Sequence, residues 1–138
     1  SEITWPPGTR VDVVVGEMRS RVDYFSEVES RIDSLKRDSD RRLLVLLDPD
    51  TGIEPASGGN RQHVRKQETV QVFQRLTRGD ALAIYQHAPL FSNSARDWIG
   101  ESRTRLAGAL SLDPDSVQSI SCLDVARDVA LLVVVLAR

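Results

Sequence analysis

This chain of 138 residues has few of the sequence features that identify secreted, disulfide-bonded or membrane proteins. It has a single cysteine, Cys122, which excludes an internal disulfide and favours a buried structural thiol in a reducing cytoplasm. The longest apolar run, 129–137, is far shorter than the roughly 20 residues of a membrane helix. The start, SEITWPPGTR, has neither the basic region nor the apolar stretch of a signal peptide. We therefore expect a cytoplasmic protein without a membrane segment.

An excess of charge of either sign is also missing. The formal net charge is −2, with 28% charged and 41% apolar residues, which is typical of a soluble globular domain. Nucleic acid is not indicated as a partner by this charge, and any site for an anion must be local. The length predicts one domain over 1–138. The chain opens on Ser rather than Met, which is compatible with a fragment of a longer chain.

The hydrophobic pattern alternates between strands and helices. This order, β-α-β-α-β-α-β-β, predicts an α/β fold: a three-layer, Rossmann-like open sheet that is mostly parallel, with one antiparallel strand from a terminal hairpin. Asn93 or Ser94 is the predicted N-cap of the third helix. The predicted strands are 10–16, 43–47, 80–89, 116–124 and 128–138, and the predicted helices are 18–35, 66–78 and 92–112.

All three helices carry apolar residues that we expect to face the core, which in the second helix are Val70, Phe73 and Leu76. The run 43–47 is apolar without alternation, as in a strand that is covered on both faces. The predicted core positions of the helices are Met18, Val22, Phe25, Val28, Ile32 and Leu35 in the first, and Trp98, Ile99, Leu106 and Leu110 in the third.

Polar side chains follow three of the predicted strands, and parallel strands bring their carboxyl ends to one rim, where open sheets bind ligands. Glu17 follows the first strand as a candidate binding residue. The second strand ends in the stretch 48–51, Asp-Pro-Asp-Thr, and the third ends in Gln86 and His87. We expect these groups to converge on one site, with Thr51 and Gln86 as binding residues.

Asp48 and Asp50 are the candidate catalytic acids. Such a pair could bind Mg²⁺ or orient an amine or hydroxyl, but Asp-Pro-Asp-Thr-Gly is also common turn chemistry. His87 is the third catalytic candidate, as a general base or a metal ligand. A neutral histidine that is hydrogen-bonded to the loop fits the sequence equally well.

The long loop 51–64 precedes the second predicted helix and is rich in Gly, Pro and Ser. Its glycines and bases, at a helix N-terminus, could cradle a phosphate. A mobile, solvated loop is the simpler interpretation. The candidate phosphate-binding residues are Gly58, Gly59, Arg61, His63 and Lys66.

The stretch LLVLLDPDTG resembles the fourth strand of class I methyltransferases that depend on S-adenosylmethionine. In the amino-methylating branch an Asp-Pro-Pro-aromatic motif after that strand holds the target nitrogen, and Asp48 and Pro49 match its first two positions. Asp50 and Thr51 depart from the last two. The helix, strand, helix and strand hairpin that follow resemble the C-terminal half of that fold, so the resemblance covers residues 43–138. The glycine-rich cofactor loop has no counterpart, although Glu17 follows a strand as the ribose-binding acid does.

A second resemblance is to haloacid dehalogenase-like phosphatases, whose Asp-x-Asp pair Asp48 and Asp50 match, with Thr51-Gly52 in reversed order. The sequence thus leaves three hypotheses: a methyltransferase-like domain, a Mg²⁺-dependent enzyme of phosphoryl transfer or phosphodiester cleavage, and a non-catalytic interaction domain that forms a homodimer. A small molecule or a phosphate-containing ligand is the expected partner of the first two.

Overall fold

The computed structural model describes residues 6–14, 20–38, 40–89, 97–121 and 126–136. In these residues helices and strands alternate as expected, with two extra short strands in the loop before the second helix. The elements are α1 (Arg21–Asp38), β1 (Leu44–Leu47), β2 (Gly52–Ile53), β3 (His63–Val64), α2 (Lys66–Gln74), β4 (Ala81–His87), α3 (Trp98–Leu110), a 3₁₀ turn (Pro114–Ser116), β5 (Gln118–Ile120) and β6 (Val129–Val135).

Four strands form the main sheet, in the order β1-β4-β6-β5. β1 and β4 are parallel, whereas β6 is antiparallel to both of its neighbours, β4 and β5. The expected antiparallel strand at the chain end is present, but the expectation of a mostly parallel sheet is wrong: the sheet is mixed. β6 inserts between β4 and β5, which breaks the parallel ladder. β2 and β3 form a separate parallel pair.

One face of the sheet carries the core. Leu82 and Ile84 of β4 lie directly opposite Val134 and Leu132 of β6, so all four point to the same face. They share one buried cluster with residues of all three helices, among them Phe25, Val28 and Ile32 of α1, Val72 of α2, and Leu106 and Leu110 of α3. The described elements thus make two layers, and no described helix forms the second helix layer of the expected three-layer sandwich.

The opposite face of the sheet is apolar and largely open. Leu44 and Leu46 of β1 are 60% and 54% exposed, Ile120 of β5 is 61% exposed and Val135 of β6 is 55% exposed. We call this the open face, and define it by the residues that are in register across the strands on that side. They are Leu44, Leu46, Ala81, Ala83, Tyr85, His87, Gln118, Ile120, Val129, Leu131, Val133 and Val135.

Element boundaries differ from the predicted ones where tertiary contacts decide them. The segment 10–14 forms no strand, although its β-branched residues predicted one over 10–16. In α1 the stripe begins at Phe25, because Val22, in the first turn, is 76% exposed. α3 begins later than expected: its N-cap is Asp97, whose side chain accepts a hydrogen bond from the Gly100 N–H at 2.9 Å.

A buried acid holds the amino ends of β1 and β4 against α1. Asp80, 1% exposed, accepts hydrogen bonds from Leu43 N at 2.9 Å, Thr77 N at 2.8 Å and Lys36 Nζ at 2.6 Å. Burial alone would raise the pKa of Asp80, but the hydrogen bonds from Lys36, Leu43 and Thr77 outweigh it and lower that pKa below its ordinary value. Among the described helices none is long and apolar enough to cross a membrane.

Candidate functional site at the carboxyl ends of β1 and β4

The carboxyl ends of the two parallel strands lie at one rim of the sheet. Asp48 follows β1 directly, and β4 ends at His87. Asp48 and Asp50 are exposed, with the half-buried Pro49 between them. The structure therefore places the two predicted acids in solvent, on a corner that leads away from the sheet.

Gln86 joins this corner to β4. Its side chain is buried, and its Oε1 accepts a hydrogen bond from Ile53 N at 3.0 Å. Its Nε2 donates to the carbonyls of Thr51 at 3.1 Å and His87 at 2.9 Å. Because these backbone groups bond both amide hydrogens and the carbonyl oxygen, Gln86 positions the corner, and its role in binding a ligand stays a prediction.

Gly52 is required where the corner touches Gln86. Its φ is +109°, in a region that side chains rarely adopt. A Cβ placed there would lie 2.3 Å from Gln86 Oε1. Thr51, the neighbouring candidate, uses its N–H and its hydroxyl to donate to the Gln62 carbonyl at 3.1 and 2.9 Å. Both residues thus fix the shape of the corner.

The His87 side chain lies on the opposite face of the sheet from the Gln86 side chain and its hydrogen bonds. Neighbouring residues of a strand point to opposite faces, so the half-buried His87 belongs to the open face, whereas Gln86 points to the core face. Its ring packs edge-on against Tyr85, with centroids 5.3 Å apart. Its backbone N–H donates to the Thr51 carbonyl at 3.3 Å, which brings the end of β4 to the corner.

The predicted phosphate cradle at the start of α2 is filled by the chain's own carboxylates. Glu54 Oε1 accepts from Lys66 N at 2.6 Å, and Glu68 Oε2 accepts from Arg65 N at 2.7 Å. Two negative groups at the N-terminal amides oppose the approach of an anion. The structure gives this helix end internal caps.

Glu68 is itself held by Arg21 from the start of α1. Arg21 Nε and Nη2 each donate to the Glu68 carboxylate at 2.6 Å, and Nη2 also donates to the His63 carbonyl at 2.8 Å. The hydrogen bond to Glu68 raises the pKa of the Arg21 guanidinium. Arg21 also reaches the Arg61 carbonyl, at 3.2 Å. Arg61 thus contributes its backbone to this contact, and its side chain is exposed.

His63 folds back onto the loop before it. Its Nδ1 accepts a hydrogen bond from Asn60 N at 3.2 Å. Burial lowers the pKa of His63, the Arg105 charge lowers it further, and the Glu54 charge opposes both. Gly58 and Gly59 shape this loop: Gly58 has a φ of +94°, and a Cβ on Gly59 would lie 2.7 Å from the Glu54 Cβ.

A shallow cleft of about 460 Å³ separates this loop from α3. Glu54 and Lys66 line it on one side, and Thr104 and Arg105 of α3 on the other. Its walls carry both signs of charge. The cleft does not include Asp48, Asp50 or His87, so the structure does not combine the predicted phosphate-binding residues with the rim.

Sequence reasoning missed Arg21, Glu68 and Asp80, each of which makes several side-chain hydrogen bonds between elements that are far apart in the sequence. Only Glu68, three residues after the N-cap of α2, leaves a local signal, that of a capping residue. The predictions for Glu17, Met18, Asn93, Ser94 and Cys122 lie outside the described residues. Among the described residues, no group of three or more His, Cys, Asp or Glu could hold a metal ion.

Comparison with known protein families, with curated proteins and with solved structures finds no match to this chain.

Proposed function

We propose that this chain is the acceptor-binding half of a methyltransferase-like, Rossmann-like domain, and that the corner 48–50 holds the amino group to be methylated. The order of elements after β1 supports the proposal. A helix, a strand, a helix and two strands follow, and the last strand is antiparallel. This is the succession that the resemblance implies for residues 43–138.

The observation that carries the proposal is the way the corner is held. A buried glutamine gives all of its hydrogen bonds to the backbone at Thr51, Ile53 and His87, while Asp48 and Asp50 stay exposed. An acid that only ended a strand would use its own side chain to bond the turn. Here another residue holds the turn, so the carboxylates remain available on a fixed backbone.

Asp48 is the acceptor-binding residue in this proposal. Leu47 pairs with Ile84, so the register carried one residue further sets Asp48 beside Tyr85, on the side of the open face that also carries His87. A carboxylate accepts a hydrogen bond from an amino N–H, and one face of either the Tyr85 or the His87 ring can contact a planar acceptor. Asp50 and His87 then orient the amino group or accept its proton.

S-adenosylmethionine would supply the methyl group. The described residues do not fit this cofactor: the segment 10–14 forms no strand, and neither the cleft beside α3 nor the one between α1 and α2 includes Asp48. The proposal therefore assigns only acceptor binding to these residues, and leaves cofactor binding to structure beyond them.

The phosphoryl-transfer hypothesis has less support. Its phosphate-binding end of α2 is capped by Glu54 and Glu68. Asp48 and Asp50 have no third described ligand nearby, although Mg²⁺ sites of one or two carboxylates also use substrate phosphates.

Acceptor binding is tested by ¹H–¹⁵N NMR titration of the full chain with adenosine, cytidine and a glutamine amide. We expect at least one amino-bearing probe to shift the backbone amides of Thr51, Gly52 and His87, with saturation in the millimolar range. Asp48→Asn keeps the shape and removes the charge, so it should weaken that binding at least tenfold. The matched control is Asp40→Asn, an exposed acid before β1, which should leave the affinity unchanged.

Two results contradict the proposal. One is the absence of any shift at the rim with all three probes in a chain whose spectrum shows it to be folded. The other is binding that Asp48→Asn and Asp40→Asn leave equally strong.

A further inference from the structure

The cleft between the loop before α2 and helix α3 contains a glycine that the fold does not require. Gly108 lies inside α3 and lines this cleft. A glycine inside a helix is less stable than an alanine, because it loses more conformational freedom on folding. Yet a Cβ on Gly108 would meet no described atom within 4 Å, so close packing does not explain the glycine.

The other special positions of α3 do have a structural reason. A Cβ on Gly100 would collide with the Asp97 carboxylate that caps the helix. The left-handed position at the end of α3, with a φ of +57°, is Ser111 rather than a glycine. Gly108 is therefore placed neither by a close contact nor by the backbone conformation. Glycine is the residue that lets a ligand come close to a backbone, and here it does so at the wall of a cleft.

Two opposite charges line the two sides of the cleft. Glu54 lies on the loop side and Arg105 on the α3 side. Burial lowers the pKa of His63, the Glu54 carboxylate raises it and the Arg105 guanidinium lowers it. Because both charges act on this one ring, the two groups lie around the same end of the cleft. Among the described ion pairs none joins Glu54 to Arg105.

Both charged groups retain bonding capacity for a ligand. Glu54 Oε1 accepts from Lys66 N, whereas the second oxygen of Glu54 accepts no hydrogen bond from a described residue. The half-buried Arg105 makes no hydrogen bond or ion pair with its guanidinium inside the described part of the chain. By contrast, Arg103 on the same helix donates to the Val117 carbonyl at 2.7 Å. A guanidinium fork is matched in shape to a carboxylate.

The rest of the lining is apolar or small. Ile53, Pro55 and Ala56 contribute from the loop side, and Gly108 and Ala109 from α3. The cleft volume of about 460 Å³ lies within the roughly 300–1,000 Å³ of small-molecule sites. Such sites combine an apolar lining with a few polar groups that fix the orientation of the ligand. The cleft therefore has the size and the lining of a site for a small molecule with an apolar part.

We propose that this cleft binds a free α-amino acid with an apolar side chain. Its carboxylate pairs with Arg105, its ammonium pairs with Glu54, and its side chain lies against Gly108 and Ala109. A zwitterion satisfies both walls, whereas Glu54 would repel an anion that has no positive group. The proposal goes beyond acceptor binding, because the cleft does not include the corner 48–50.

The probe is L-leucine, titrated into the ¹⁵N-labelled full chain and followed by NMR. We expect saturable shifts of the Gly108 and Ala109 amides, with a dissociation constant of about 0.1–1 mM for so small a ligand. Isocaproate is leucine without the ammonium, and isoamylamine is leucine without the carboxylate. Each should bind at least tenfold more weakly than leucine, because one wall of the cleft then has no partner.

Charge variants assign each end of the ligand to one wall. Arg105→Met should weaken leucine binding at least tenfold and change isoamylamine binding less than twofold. Glu54→Gln keeps an acceptor for Lys66 N, so it should weaken leucine binding at least tenfold without weakening isocaproate binding. The matched control is Arg78→Met, an exposed arginine after α2, which should leave the leucine affinity unchanged.

Gly108→Leu separates a ligand-binding glycine from a structural one. Leucine is a better helix former and its Cβ meets no described atom, so the thermal midpoint should rise by about 2–4 °C. The new side chain occupies the cleft, so the affinity for free leucine should fall at least tenfold. A stabilising change that removes binding is not expected if the glycine serves the fold alone.

The inference is overturned if leucine, valine and phenylalanine all leave the Gly108 and Ala109 amides unshifted in a folded chain. It is also overturned if Arg105→Met and Arg78→Met bind leucine equally well, or if Gly108→Leu lowers the thermal midpoint and leaves the affinity unchanged. Binding of isocaproate or inorganic phosphate as tight as that of leucine would show a simple anion site instead. Asp48→Asn should leave leucine binding intact, so failure here and failure of acceptor binding are distinguishable.

Discussion

The two ends of β1 and β4 carry acids of opposite character. At the amino ends Asp80 is buried and accepts hydrogen bonds from α1, from the start of β1 and from Thr77. At the carboxyl ends Asp48 is exposed, and the neutral amide of Gln86 holds the turn. The same residue type thus fixes the fold at one end and is exposed to solvent at the other. At the amino ends the Asp80 carboxylate itself accepts hydrogen bonds from the backbone, whereas at the carboxyl ends the Gln86 amide makes them in place of Asp48. Mutations can therefore separate the structural acid from the exposed one.

The largest effect should come from Asp80→Ala. This change leaves the N–H groups of Leu43 and Thr77 without their acceptor and removes the partner of the partly exposed Lys36 ammonium, which costs about 3–5 kcal/mol of unfolding free energy. Urea denaturation followed by circular dichroism measures the loss. Asp80→Asn keeps an acceptor and should lose less. A loss below 1 kcal/mol for the alanine variant would show that this end is not the structural one.

Protonation of Asp80 at low pH weakens the same hydrogen bonds without removing the side chain, so the pH dependence of stability tests the same role. Its folded pKa lies below the unfolded value of about 3.9, so its stabilisation is fully present above that pH and is lost as the pH falls through the folded pKa. We expect the unfolding free energy to fall below about pH 4, with a flatter slope in Asp80→Asn. Equal slopes in the two chains would contradict this.

These two ends were not equally predictable from the sequence. The presence of β1 and β4 and the burial of Leu106 and Leu110 in α3 follow from local patterns, and the rim follows from parallel pairing of β1 with β4. The unbroken apolar run of β1 predicted cover on both faces, which is wrong for the described residues, because Leu44 and Leu46 are more than half exposed.

Asp80 and Glu68 could not be found from local patterns, because their partners Lys36 and Arg21 lie 44 and 47 residues away along the chain. The local sequence pattern around a residue does not predict an ion pair with a residue so far away along the chain.

The mixed sheet was unpredictable for a related reason. The pattern of β6 shows a buried strand, but not which strands it separates, and its insertion between β4 and β5 depends on the whole set of crossovers. The phosphate cradle stays a prediction, and local patterns did not show that Glu54 reaches across the loop to accept a hydrogen bond from the Lys66 N–H at 2.6 Å. The glycines predicted an open loop, whereas in the structure the loop residue Glu54 caps the N-terminus of α2.

Gly52→Ala should have the next largest effect, at the carboxyl ends. The positive φ costs about 1–3 kcal/mol, and the new Cβ would meet the Gln86 amide at 2.3–2.4 Å. The matched control is Gly58→Ala, which has a φ of +94° and no atom within 4 Å of its added Cβ, so it carries the strain without the contact. Urea denaturation should therefore show a larger loss for Gly52→Ala. Equal losses would remove Gln86 from the account of the corner.

His63 should give a smaller effect that depends on pH. Burial lowers its pKa in the folded chain, so the folded state binds fewer protons than the unfolded state as the pH falls through about 6.5. Stability should therefore decrease from pH 7.5 toward pH 5.5, a loss that His63→Gln removes. Thermal unfolding at a series of pH values measures it. A stability that rises toward low pH would reverse the sign and contradict this environment for the ring.

The smallest effect on stability should come from Asp48→Asn, and for that reason it is the sharpest test of the comparison. Asp48 is exposed and the turn is held by Gln86, so the change should alter the unfolding free energy by less than about 0.5 kcal/mol. The same variant should bind the amino-bearing probe with an affinity at least tenfold lower, as measured by NMR titration. At the other end of the strands, Asp80→Asn should lower stability and leave probe binding per folded molecule unchanged. If Asp48→Asn instead destabilises the chain as much as Asp80→Asn does, the corner is a structural turn, and the carboxyl ends differ from the amino ends only in exposure.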